Sequence, residues 1–179
     1  MERAALFFPN RGSISRFHEW ANVENSYQRR ADLIPNLVAT VKGAADFEKS
    51  TLESVINARA KATSITIDPS NITPEQLANF NQAQSGLAGA LKSLLVTVER
   101  YPELKANKNF LELQSQLEGT ENRINVERNR FNDLAGQYNI YIRKFPMNLL
   151  AGAFNFNDAA LFKSDPGSEN APDVKFNFD

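Results

Sequence analysis

Apolar residues recur along most of this chain at alternating steps of three and four. Between Leu77 and Tyr101 they fall at Leu77, Phe80, Leu87, Leu91, Leu94, Val98 and Tyr101, with Gln84 in the one remaining slot. A heptad series, Phe110, Leu117, Ile124, Phe131, Tyr138 and Phe145, follows without a slip, with Leu113, Leu134 and Tyr141 on companion positions. An earlier segment sets Trp20, Val23, Tyr27, Arg30, Ile34, Leu37, Val41, Ala44, Glu48, Val55, Ala58 and Ala62 on the same template. A repeat of about 3.5 residues keeps one stripe of each helix against neighbours lying nearly parallel or antiparallel to it. The pattern therefore predicts an all-α protein, an up-and-down antiparallel bundle of three to four long helices.

The breaks are equally legible. Ser64 to Gln76 reads as a loop, closed by Thr73 as an N-cap, Pro74 at the first helical position and Gln76 completing a capping box. Tyr101-Pro102 interrupts the next pattern, and Asn107 starts or bends the last helix. Within the first segment Pro35 lacks an amide donor and crowds the carbonyl of Ala31, while Gly43 weakens the helix again. The first helix is thus expected to kink or split near Pro35 and Gly43. The bundle should occupy residues 20–145. Residues 146–179 read as an extended, aromatic-rich tail (Phe154, Phe156, Phe162, Phe176, Phe178) that packs on the bundle.

The same template exposes polar groups in the apolar seam. Arg30 and Glu48 fall on it in the first segment, Gln84 in the middle helix, and Thr120 and Glu127 in the last, with Glu121 and Arg128 beside them. Burying a charge costs several kcal/mol unless it is paired and hydrogen-bonded. Arg30 is therefore expected to face Glu121 or Glu127, since its planar fork accepts a carboxylate bidentately. Glu48 is expected to pair with Arg123 or Arg128. Such a layer fixes helix register in many bundles; alternatively, a buried cluster of Arg30, Glu48, Glu121 and Glu127 marks a ligand or catalytic site.

Composition favours the first of these. The 179 residues hold 20 Lys+Arg against 21 Asp+Glu, interspersed, so no basic stripe suggests nucleic acid. With no cysteine there is no disulfide, thiolate metal site or cysteine nucleophile, and the single histidine, His18, cannot supply the paired Glu-x-x-His motifs of a di-iron bundle. Phosphate loops, G-x-S-x-G elbows and H-E-x-x-H motifs are absent from the sequence. No catalytic, cofactor or metal residue is therefore assigned, and no cofactor is expected. No stretch approaches the roughly 18 apolar residues of a spanning helix, so the chain as it stands reads as soluble.

Two stretches identify a family. WANVENSYQRRADLIPNLVATVKGAADFE (Trp20 to Glu48) and YPELKANKNFLELQSQLEGTENRINVERNRFNDLAGQYN (Tyr101 to Asn139) closely resemble the LemA family, as does the ending Ala171-Pro172-Asp173-Val174-Lys175-Phe176. The resemblance covers nearly everything from Trp20 onward. It implies a bacterial membrane or envelope protein, usually tethered by one N-terminal spanning helix, with no established catalytic residues or cofactor. Residues 1–19 depart from that pattern: Ile14 and Arg16 stand where the family's lead-in has an acidic residue and a valine, and Pro9-Asn10-Arg11-Gly12 takes the place of the junction to the family's anchor. A non-enzymatic membrane-associated scaffold or interaction module with a protein partner at the membrane is the resulting expectation.

Overall fold

A computed structural model describes residues 9–44, 47–70, 72–154 and 156–163, the side chains of 9–17 and 153–154 excepted. Six helices follow one another among these: α1 (Pro9–Lys42), α2 (Lys49–Thr63), α3 (Pro74–Val98), α4 (Pro102–Lys105), α5 (Lys108–Arg143) and α6 (Met147–Phe154). No strand interrupts them. α1 and α5, with 34 and 36 residues, are each about 50 Å long at about 1.5 Å per residue.

The helix directions alternate. Trp20 meets Phe131 and Arg30 meets Glu121, so α1 and α5 run antiparallel. Trp20 and Tyr27 meet Phe80 while Arg30 meets Gln84, so α3 runs parallel to α1. α2 returns against α3, with Ala62 beside Gln84. The four long elements therefore run up, down, up, down, with α1 packed along α5 and α2 along α3.

Local chemistry sets the helix ends. Thr73 caps α3: its hydroxyl accepts from the Gln76 amide at 3.2 Å, and the Gln76 side chain accepts from the Thr73 amide at 3.0 Å. Asn107 caps α5, its Oδ1 accepting from the amides of Asn109 (2.9 Å) and Phe110 (3.2 Å). Between α3 and α5 the Pro102 turn forms the single-turn helix α4.

The first segment splits at Gly43, whereas Pro35 sits inside an uninterrupted α1. Proline at 35 leaves the Ala31 carbonyl without its helical donor. Arg59 of α2 supplies one: its Nε donates to the Ala31 carbonyl at 2.8 Å. The defect in one helix is thereby an attachment point for the next.

Two findings depart from the sequence pattern. The stripe on α5 buries Phe110, Leu117, Ile124 and Phe131, then shifts to Ala135 and Ile142, leaving Tyr141 and Phe145 exposed. A straight helix drifts about 20° per heptad against a strict seven-residue repeat, and over five heptads the buried face moves to the adjacent row. The tail, for its part, is not extended throughout, because Met147–Phe154 forms α6. Phe176 and Phe178, like residues 1–8, lie outside the described residues.

The core comes in two parts. One cluster gathers Ile34, Leu37, Val41, Val55, Leu87, Leu94 and Phe110 where α1, α2, α3 and α5 run together. The other gathers Trp20, Val23, Tyr27, Phe80, Ile124 and Phe131, and is closed by Ile67 from the α2–α3 loop and Phe162 from the tail. α2 is too short to line the second cluster, so loop and tail take its place.

Candidate functional site

Arg30 lies between the two clusters. It is 3% exposed, and its position in α1, one seam step after Tyr27 and one before Ile34, carries it into the bundle. Its Nη1 donates to Glu121 Oε2 of α5 at 2.9 Å. Nη2 donates to the side-chain oxygen of Gln84 at 2.7 Å and to the Gln84 carbonyl at 3.1 Å. The Gln84 amide donates in turn to the Ala62 carbonyl, near the end of α2, at 3.3 Å. One connected layer thus ties all four long helices together at a single level. The guanidinium also lies 5.1 Å from the Tyr27 ring centroid, a cation–π distance.

The charge is paired but not sealed. The Glu121 side chain is 47% exposed. It opens into a cleft of about 190 Å³ between α3 and α5, lined by Tyr27, Arg30, Asn81, Gln84, Ser85, Ala88, Glu121 and Arg128. Arg30 Nε and Asn81 Oδ1 are buried there without a hydrogen-bond partner among the described residues. Burial pushes the Tyr27 hydroxyl above its ordinary value of 10.0, against the opposing pull of Arg128 and Arg30.

The other expected members of the layer lie elsewhere. Glu48 is exposed and pairs with Arg100 at 2.9 Å, not with Arg123 or Arg128. The helix ends before it, so the heptad phase of α1 does not carry through to the N-cap of α2. Glu127 is buried, one heptad below Thr120, but its partners are on its own helix: Arg130 at 3.3 Å and Arg123 at 4.0 Å. It borders a separate cleft of about 270 Å³ with Asn22, Asn25, Ser26 and Arg29. Thr120 is buried and bonds back to the Gln116 carbonyl at 2.7 Å. His18 is exposed, and among the described residues no group of His, Asp or Glu side chains is arranged to hold a metal ion.

Arg128, which borders the cleft beside Tyr27, also makes a further contact that is absent from the sequence reading. Its guanidinium sits 4.9 Å from the Phe162 ring centroid, and Nη2 donates to the Lys163 carbonyl at 3.0 Å. Beside it, Asn132 and Asn139 clasp the backbone of the tail. The Asn139 amide donates to the Ala159 carbonyl at 3.0 Å, and the Ala159 N–H donates back to Asn139 Oδ1 at 2.7 Å. Asn132 makes the same pair with Phe162, at 2.9 and 2.8 Å. Seven helical residues rise about 10 Å, the span of three residues of extended chain, so the two asparagines match the repeat of the segment they hold. The signal in the sequence is an asparagine repeated one heptad on, beside the apolar stripe. Phe162 completes the contact by stacking on Trp20 at 6.1 Å and meeting Phe131 edge-on at 5.6 Å.

Comparison with known proteins is consistent with this architecture. The LemA family model matches residues 19–176. The chain is 26% identical over 142 residues to Protein LemA of Metamycoplasma hominis, covering 79% of this chain and 61% of that protein. It is 33% identical over 87 residues to Magnetosome protein MamQ 2 of Paramagnetospirillum magneticum, covering 49% of this chain and 32% of that protein. Magnetosome protein MamQ of Magnetospirillum gryphiswaldense is 31% identical over 87 residues, with the same coverage. The chain therefore spans between about a third and three-fifths of the length of these curated relatives.

Proposed function

Because the chain belongs to the LemA family, we propose that it is a non-enzymatic, membrane-associated helical scaffold that presents the outer faces of its long helices to a protein partner at the bacterial envelope. The observation that carries this reading is the pairing of Arg30, whose charge is met inside the bundle by Glu121 and Gln84. A side chain bonded in this way to two other helices fixes their register. Relatives named as magnetosome proteins suit attachment to a membrane. No described helix is long and apolar enough to cross a membrane.

The test is capture of partners by the tagged full-length protein from detergent-solubilised membranes of its own bacterium. The expected result is a reproducible protein partner that a bundle of unrelated sequence does not retain. Recovery of none across repeated preparations would count against the scaffold.

A second reading has one specific observation in its favour. Arg30 Nε and Asn81 Oδ1, a donor and an acceptor, lack partners among the described residues beside the half-open Glu121. A small polar molecule with both hydrogen-bonding functions would fit that cleft, making the protein a ligand-binding one. Glu48 and Glu127 take no part in it, since both lie outside the cleft. Replacing the layer by apolar residues separates the two readings, because it removes a ligand site and leaves the outer faces intact.

A further inference from the structure

Arg30 uses only its two terminal nitrogens in the polar layer. Nη1 goes to Glu121 and Nη2 to Gln84, whereas Nε, on a residue 3% exposed, has no hydrogen-bond partner among the described residues. Asn81 Oδ1, in the same cleft between α3 and α5, is the matching case on the acceptor side. A buried polar group without a partner costs stability that neither atom recovers from the residues around it. The two atoms mark a place where one acceptor and one donor are still missing.

Charge narrows what can supply them. Arg30 and Glu121 neutralise each other at 2.9 Å. Arg128 also lines the cleft, yet it turns to the Lys163 carbonyl and the Phe162 ring, and no carboxylate among the described residues pairs with it. The Tyr27 hydroxyl on the same wall stays neutral at neutral pH, since burial raises its pKa. The cleft therefore combines one positive charge in excess with a free donor and a free acceptor. Its volume of about 190 Å³ equals that of about six waters at about 30 Å³ each. Water can match the hydrogen bonds but not the charge.

We propose that this cleft binds a small carboxylate carrying a hydrogen-bond donor on the neighbouring carbon, that is, an α-hydroxy or α-amino acid. The carboxylate accepts from Arg30 Nε and balances Arg128, while the hydroxyl or ammonium donates to Asn81 Oδ1. A carboxylate facing a guanidinium makes a charge-assisted bond, stronger than a neutral acceptor makes. An ammonium gains a second acceptor in Glu121, of which only Oε2 is engaged by Arg30. The inference rests on the ligand-binding reading of this cleft and gives that ligand a chemical class. It leaves the alignment of the helices intact, because Nη1 and Nη2 keep their partners.

The Arg30 Nε–H is its own reporter in a proton–nitrogen correlation spectrum of the full chain, assigned through its side chain. Lactate, free alanine, acetate and acetamide are titrated separately. The expected result is a saturable shift of this resonance and of the Asn81 side-chain amide with lactate, alanine or both, which also tells a hydroxyl donor from an ammonium. Acetate, which lacks the donor, and acetamide, which lacks the charge, should each bind at least about ten-fold more weakly. Asn81→Leu should weaken the acid by at least about ten-fold. The comparison of the four compounds needs no variant, so it decides even where Asn81→Leu does not fold. Acetamide binding as well as the acids would overturn the carboxylate class and leave the ligand-binding reading standing. Acetate binding as well as the acids, or a folded Asn81→Leu that binds them unchanged, would reduce the site to charge attraction and overturn the inference. If none of the four moves the resonance, the inference and the ligand-binding reading fall together.

Discussion

Arg30 bonds to two side chains, and its removal affects them unequally. Glu121 reaches solvent and can be hydrated once its partner is gone, whereas Gln84 is buried and would keep an unmatched amide oxygen. Arg30→Met is therefore predicted to cost about 1–3 kcal/mol in urea unfolding, chiefly through Gln84. Adding Gln84→Met should return stability to within about 1 kcal/mol of the natural protein, since an apolar layer of similar volume replaces a polar one. A double variant as weak as the single one would show that the cost lies in Glu121 or in packing. Tyr27 offers a test by pH. Its proton is held more tightly in the folded protein than in the unfolded chain, so its contribution is complete below about pH 10 and is lost as pH rises through the folded value. Between about pH 9 and about pH 11 the natural protein should lose more stability than Tyr27→Phe, and parallel curves would contradict the assignment. Arg30 was legible in the sequence because its slot lies inside an unbroken helix. Glu48 was misplaced because a heptad phase cannot be carried across the break at Gly43. The burial of Glu127 was legible, but not its partners, because a pattern of helix faces says nothing about which neighbour on the same helix a side chain turns to.

Pro35 looks at first like a helix breaker, yet α1 continues past it as one element and recruits Arg59 from α2 to the carbonyl it strands. The coupling is measurable. Arg59→Met should cost about 1 kcal/mol beside Pro35, and clearly less beside Pro35→Ala, whose restored amide can serve the Ala31 carbonyl itself. Equal costs in urea unfolding of both backgrounds would mean that Arg59 stabilises through packing alone. α2 also explains why the lower half of the bundle needs other cover: its 15 residues end at the level of the polar layer, and Ile67 and Phe162 continue the wall. The long helices, the Thr73 cap and the loop before it were readable from periodicity and capping chemistry, whereas the short α4 and α6 were not. The clasp was not, because its partner segment, Ala159 to Phe162, has no period and meets α5 through backbone groups that every sequence possesses.

Among the described residues the bundle is two apolar clusters separated by one polar layer, at which side-chain hydrogen bonds join α1, α2, α3 and α5. In the reading proposed above, the buried Arg30 aligns the four helices and apolar packing above and below does the rest. The alternating directions of the long helices followed from the heptads, whereas their number was left at three to four and the two-part core was not legible, since both depend on where the first segment breaks and where α2 stops. If the layer aligns the helices, as proposed, partner binding resides on the outer faces. Crosslinking and mass spectrometry of the full-length protein in its native membrane, comparing natural protein with Arg30→Met/Gln84→Met, test this most directly. The account predicts that the folded double variant keeps the same crosslinks to the same partner, whereas their loss from a variant that remains folded would make the layer a functional site and contradict it.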